Sequence, residues 1–149
     1  MQLAEINEIV SALLEIGPAY HRIILDKIEK KSTHITKSQI FILLALAGHP
    51  FLNMTQIAAY IASSKEQATR AVAPLVEMGY VLREHDTHNR KVVLISLTTK
   101  GNRFIHEMKS QLQQALEKNL QILSKEEQIE FISSLSFILY VLEKITVEK

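Results

Sequence analysis

At 149 residues the chain is long enough to close one hydrophobic core unaided, and without cysteine it can form no disulfide, zinc-thiolate site, thiol nucleophile or cysteine redox switch. Although 47% of the residues are apolar, no run reaches the ~18 consecutive apolar residues that a membrane span needs. The start, Met1-Gln2-Leu3-Ala4-Glu5, lacks the basic and apolar regions of a secretory signal, so a soluble cytoplasmic protein is expected.

The net charge of +1 is unpromising for nucleic-acid binding, but it is unevenly spread. Residues 1–53 carry five bases and five acids, residues 54–103 seven bases and four acids, and residues 104–149 five bases and seven acids. The basic excess lies in the middle. Only 4 glycines and 3 prolines argue for a mainly helical chain, since β-rich folds need more turn residues.

From Leu3 to Lys31 the apolar residues Ile6, Ile9, Val10, Leu13, Ile16, Tyr20, Ile23, Ile24 and Ile28 keep helical spacing. Gly17-Pro18 interrupts it, predicting either one bent helix or two meeting at Pro18. Thr36 or Ser38 can cap the next helix, whose Ile40, Phe41, Leu43, Leu44 and Leu46 leave almost no polar face, so it is central and buried. Gly48-His49-Pro50 ends it. Thr55 is an N-cap candidate for a short helix through Ile61, buried through Ile57, Ala58 and Ile61. Ala62-Ser63 makes a tight turn, and Ser64 with Gln67 reads as a capping box opening a helix from Lys65 to Met78. That helix is expected to bury Ala68, Val72, Leu75, Val76 and Met78, with Gly79 beyond its end. Two short helices across a tight turn form a helix-turn-helix.

After Gly79 the period changes. Tyr80–Arg83 and Val92–Leu97 read as strands joined by the polar, partly basic stretch 84–91, a β-hairpin. Thr98 caps a long helix from Thr99 to about Leu123, with Phe104, Ile105, Met108, Leu112, Leu116 and Leu120 on one stripe. Ser124 and Glu127 form a capping box for a last helix carrying Ile129, Ile132, Leu135, Leu139 and Leu142. The order is mainly α (α+β), a winged helix-turn-helix with a two-stranded β-wing and long terminal helices.

The stretch Met54–Gly101 resembles the MarR family of bacterial regulators. The resemblance is carried by Met54-Thr55-Gln56-Ile57-Ala58, Ser64–Arg70, Leu75–Arg83, Asp86–Arg90 and Leu97-Thr98-Thr99-Lys100-Gly101, in order and without gaps. It implies a single domain over residues 1–149, with 36–103 as the DNA-binding lobe and 1–35 and 104–149 as dimerisation helices. The partners implied are double-stranded DNA, a second copy of the chain and a small aromatic ligand; no membrane, metal or cofactor is expected. A two-fold dimer would set two recognition helices about one DNA turn apart, on a pseudo-palindromic site, and a repressor is the expected role.

The residue chemistry supports that use. A recognition helix puts its N-terminal residues on base edges, and here that end offers Ser64, Lys65, Gln67, Thr69 and Arg70. Gln can pair adenine and Lys or Arg guanine. By resemblance, Thr55 and Gln56 also touch DNA, Arg90 reaches the minor groove from the wing, Lys91 meets phosphate beside His88 and Asn89, and Asp86 braces the wing through Arg90 or a neighbour. Tyr20, Phe41 and Phe104 are the candidates to line a ligand cavity, and core packing accounts for them equally well. The sequence departs from the family at Asn89, where aspartate is common, and at Lys91, where arginine is common and gives bidentate contacts that lysine lacks. Pro74 stands inside the recognition helix, where it leaves the Arg70 carbonyl without its helical partner and predicts a kink.

Six histidines are present, but no H-x₃-H pair, and His106 has Ser110 rather than histidine one turn later. No Gly-rich phosphate loop, G-x-S-x-G elbow or H-E-x-x-H pattern occurs, so enzyme activity is not expected. A second reading, motivated by Pro74, Asn89 and the weak net charge, is a winged-helix protein-interaction module without specific DNA binding.

Overall fold

The computed structural model describes residues 1–29 and 34–147, so the end of the first predicted helix, Lys30 and Lys31, lies outside the described residues. The chain forms two compact units, residues 1–112 and 113–149. The first opens with helix α1, Leu3–Tyr20, which runs through Pro18. A π-helical turn, His21–Leu25, and a short helix α2, Asp26–Glu29, continue it. Pro18 has no N–H to give to the preceding turn, and the wider register sets in three residues later, where the Asp26 N–H reaches the His21 carbonyl. The interruption expected at Gly17-Pro18 is therefore a change of helical register after Tyr20.

Helix α3, Lys37–Ala47, starts at Thr36 with both arms of a capping box to Gln39. Its Ile40, Ile42, Leu43 and Leu46 are almost wholly buried, and they centre the core. Gln39 is buried with them. Its amide donates to the Ala71 carbonyl at 3.2 Å while its oxygen accepts the Thr36 N–H at 2.9 Å, so this polar group enters the core satisfied.

Helices α4, Met54–Tyr60, and α5, Lys65–Glu77, form the helix-turn-helix. Asn53, not Thr55, is the N-cap of α4: its side chain accepts the Gln56 N–H and the Gln56 side chain returns to the Asn53 N–H, each at 2.8 Å. Asparagine ranks with the best caps and has its capping-box glutamine three residues on, so the helix starts two residues early. Ser64 caps α5 as expected, but Gln67 does not close the box: its side-chain oxygen takes the Ser63 hydroxyl instead. Pro74 is accommodated within α5, which stays helical to Glu77. Ala68, Val72 and Leu75 are buried as expected, whereas Val76 is exposed and Met78 only half-buried, because both lie off the inward stripe at the last turn.

Both helices end in the same way. The Ser63 N–H bonds the Ala58 carbonyl and the Ala62 N–H that of Ala59; likewise Tyr80 bonds Leu75 and Gly79 bonds Val76. These are Schellman motifs, which need a left-handed residue after the cap. Gly79 takes φ +76° freely, but at the first motif the residue is Ala62, at φ +50°, where a Cβ crowds the following carbonyl.

The wing is a hairpin of β2, Val81–His85, and β3, Val93–Leu97. A two-residue strand β1, Leu52–Asn53, adds to its other edge, giving an antiparallel sheet in the order β1-β3-β2. Two strands were expected; β1 is too short to leave a period in sequence. Helix α6, Thr99–Leu120, begins in this unit, stopping one turn short of Leu123, and buries Gly101, Ile105 and Met108. The Thr98 hydroxyl accepts the Gly101 N–H at 3.0 Å and donates to the Gly79 carbonyl at 2.6 Å, while the Thr98 N–H meets the Tyr80 carbonyl at 3.1 Å. Lys100 reaches the Met78 carbonyl at 2.7 Å and lies over the Tyr80 ring.

The second unit holds the last turns of α6 and helix α7, Lys125–Val147. Ser124 and Glu127 cap α7 reciprocally, as expected. No helix among the described residues is long and apolar enough to cross a membrane.

Two substitutions test the backbone argument. A Cβ on Gly101 would lie 2.1 Å from the Tyr80 carbonyl oxygen, so Gly101→Ala must push the hairpin off α6 and should lose roughly 3 kcal/mol in urea unfolding, the upper range for overpacking. Ala62→Gly should gain about 0.5–1 kcal/mol, the left-handed strain relieved less the added freedom of the unfolded chain. A loss on Ala62→Gly would refute the strain.

Candidate nucleic-acid interface

The N-terminal half of α5 projects its side chains outward because Ala68 and Val72 fix which face is buried. Lys65, Gln67, Thr69 and Arg70 are all exposed. Their hydrogen-bonding capacity is partly committed. Thr69 donates its hydroxyl proton to the Lys65 carbonyl at 2.9 Å, which leaves lone pairs and a methyl group for a partner. The Ser64 hydroxyl oxygen is engaged as the cap and the Gln67 side-chain oxygen by Ser63, so Gln67 presents its NH₂ donors and one remaining lone pair. Gln56 is similarly tied to the Asn53 N–H. Thr55 is exposed beside it.

The wing tip is held by short polar bonds. The Asp86 carboxylate accepts the His88 N–H at 3.1 Å, and the Asn89 side chain accepts the Lys91 N–H at 3.2 Å. Asp86 N–H to Val92 carbonyl and Val92 N–H to Asn89 carbonyl, both 2.9 Å, close the turn. Asp86 thus engages a neighbouring backbone amide, not the Arg90 guanidinium. Arg90 is exposed, and its carbonyl accepts a 2.8 Å bond from His85 Nδ1. Because a carbonyl only accepts, Nδ1 carries the proton, and Nε2 is left facing away from that bond.

The structure brings several of these residues together. Thr55, Lys65, Thr69 and Lys91 line one notch of about 200 Å³ between the helix-turn-helix and the wing. Arg83, which sequence reasoning passed over, lines it too. The signal was available: Arg83 shares the inward parity of Val81 on its strand, where an apolar residue would ordinarily stand. His85 was also missed as a wing brace, since its partner is a backbone carbonyl five residues away and leaves no mark in composition.

The three ligand candidates lie on three helices of the first unit. Tyr20 ends α1 and is 41% exposed, and partial burial pushes its phenol pKa above the ordinary range. Phe41 on α3 is half-buried. Phe104 on α6 stacks against Tyr80, with ring centroids 4.9 Å apart, at the edge of the core.

Residues 35–93 match the MarR family model, and the chain is 26% identical over 106 residues to the HTH-type transcriptional repressor MdtR of Bacillus subtilis (strain 168), over 71% of this chain and 67% of that protein. The helix-turn-helix and most of the wing, residues 35–93, thus carry the MarR family pattern. Solved structures carry the same fold across nearly the full length. RV1404 from Mycobacterium tuberculosis superposes with a TM-score of 0.77 at 18% identity, covering 95% of each chain. NadR, solved in complex with 4-hydroxyphenylacetate, gives 0.74 at 18% identity over 95% of this chain and 94% of that one. These likenesses show a winged-helix fold.

His85 gives the wing its own test. His85→Ala removes one hydrogen bond, worth about 1 kcal/mol locally, at an exposed site. Amide hydrogen exchange should quicken in residues 86–92 while global stability holds. Unchanged protection there would remove His85 from the account of the wing.

Proposed function

We propose that this chain is a MarR-type regulator, a homodimeric repressor that binds a pseudo-palindromic operator and is released by a small aromatic ligand. The observation that carries the DNA reading is the notch: side chains from α4, from the recognition helix α5 and from the wing meet on one face of one lobe. Donors, acceptors and cations for base edges lie on α5, and the basic wing lies beside it. In this reading Lys65, Gln67, Thr69 and Arg70 enter the major groove, with Ser64, Thr55 and Gln56 at the adjoining backbone. Arg90 enters the minor groove, with His88, Asn89 and Lys91 against the flanking phosphates.

The dimer is supported by what the terminal helices leave uncovered. None of α1 is buried, and Leu3, Ile6, Ile9, Val10, Leu13, Leu14 and Ile16 are all at least 40% exposed. On α7, Phe131, Ile132, Leu135, Leu139 and Leu142 are exposed as well. Apolar stripes of that extent mark an interface in a water-soluble protein. The repressor role follows the name of MdtR, and the ligand follows NadR with its bound phenolic acid. Tyr20, Phe41 and Phe104 would supply a phenol donor and aromatic walls. Release requires only that the ligand bind better to the arrangement unsuited to DNA.

The test is an anisotropy titration with duplexes selected by the protein from genomic fragments, against scrambled duplex, at two salt concentrations. Arg90→Ala and Arg70→Ala should each cost about 1–3 kcal/mol on the selected duplex, and changes at Gln67 or Thr69 should shift sequence preference. Affinity untouched by both arginine variants would remove them from the interface. Equal binding to selected and scrambled duplex would favour the interaction module, a reading already weakened by the continuity of α5 through Pro74.

A further inference from the structure

The cations lining the notch between α5 and the wing share it with no lining carboxylate among the described residues. Lys65, Arg83 and Lys91 converge there. Among the described residues, none of these three side chains makes a hydrogen bond or ion pair with the protein. Arg83 is the most telling. In the sheet it stands opposite Ile95, which stands opposite Leu52 on the far side, so the three share one face. Leu52 and Ile95 are 3% and 0% exposed. The row that builds the core thus ends in a guanidinium at the mouth of the notch. Like charges brought together without a counter-charge repel, and such a cluster is an anion site in waiting.

We infer that this notch seats one phosphate of the DNA backbone, with Arg83 as its principal ligand and Lys65 and Lys91 flanking it. The inference rests on the DNA-binding reading and adds a residue and a contact to it. A guanidinium presents paired N–H donors that match two phosphate oxygens, which a lysine cannot do. The Thr69 hydroxyl proton is already given to the Lys65 carbonyl, so the charged donors of the notch are the three cations. The notch lies between the recognition helix and the wing. A duplex read by α5 and gripped by Arg90 must carry its backbone across that gap. Seating a phosphate there fixes the register of the helix on the groove without reading sequence.

The test compares the parent dimer with Arg83→Gln and Arg83→Lys on the selected and scrambled duplexes across a range of salt. Arg83→Gln should lose affinity several-fold, equally on both duplexes, and the slope of log K against log salt should flatten by about 0.9 for each seat emptied. Arg83→Lys should keep the slope and lose part of the affinity. A duplex series with one linkage at a time replaced by neutral methylphosphonate should contain a position that weakens the parent and leaves Arg83→Gln indifferent. The thermal midpoint of Arg83→Gln should be no lower than the parent's, because removing one of three like charges relieves repulsion. A lowered midpoint makes Arg83 a structural residue and overturns the assignment. If Arg83→Gln keeps the parent's slope and affinity while Arg90→Ala does not, the seat is wrong and the DNA reading stands. If the parent shows no salt-dependent binding to any duplex, both fall.

Discussion

Much of the helix-turn-helix and the wing depends on the contact between Thr98 and the Gly79-Tyr80 corner. One hydroxyl bonds the Gly79 carbonyl and caps α6 through Gly101, while the Tyr80 carbonyl takes the Thr98 N–H. The approach is so close that position 101 has no room for a Cβ. Each bond is worth about 1 kcal/mol net, but the geometry matters more than the sum. Gly79-Tyr80 is where the recognition helix becomes β2, and Leu97-Thr98 is where β3 becomes α6. The clasp therefore joins the end of the recognition helix, the base of the wing and the start of the long helix at one point. None of the three can turn on its own without breaking a bond to Thr98.

The face proposed to meet DNA is built on that rigid corner from groups whose local costs the core offsets. Ala62 holds a left-handed conformation in the turn between the two helices, and Pro74 removes a helical donor within α5. Against these stand the wholly buried Ile57, Ala68, Val72 and Leu75, which seat both helices on α3. The buried Gln39 ties α3 to the Ala71 carbonyl, next to the Arg70 carbonyl, to which Pro74 has no N–H to give. Polar residues at the N-terminal end of α5 spend part of their hydrogen-bonding capacity on their own turn, which orients what they have left toward the solvent. A net charge near zero conceals this face, because the excess of acids over bases in residues 104–149 offsets the basic excess of residues 54–103.

Periodicity, capping residues and turn glycines were enough to place the helix-turn-helix, the hairpin and the long flanking helices, because each is specified by neighbours in sequence. Thr36 with Gln39, Ser124 with Glu127, and Gly79 behaved as their types and spacing require. Where the reading slipped, two local signals competed. Asn53 and Thr55 are both good caps, and only Asn53 had its glutamine at the third position. Val76 and Met78 are apolar residues at a helix end, where the burial of one more turn depends on what packs against it. Strand β1 has two residues and owes its existence to β3.

The sequence by itself determined the order and type of the long helices, the helix-turn-helix and the hairpin, and the residues that α5 and the wing could offer to DNA, since helix and strand periods and caps are short-range. The tertiary structure alone decided what meets across long separations: Thr98 with Gly79, Gln39 with Ala71, and Arg83 with Lys65 and Lys91. Arg83 looked like any charged strand residue until its register with Ile95 and Leu52 put it on the core side of the sheet. Register is a property of strand pairing, and a shift of one residue would send that side chain to the other face.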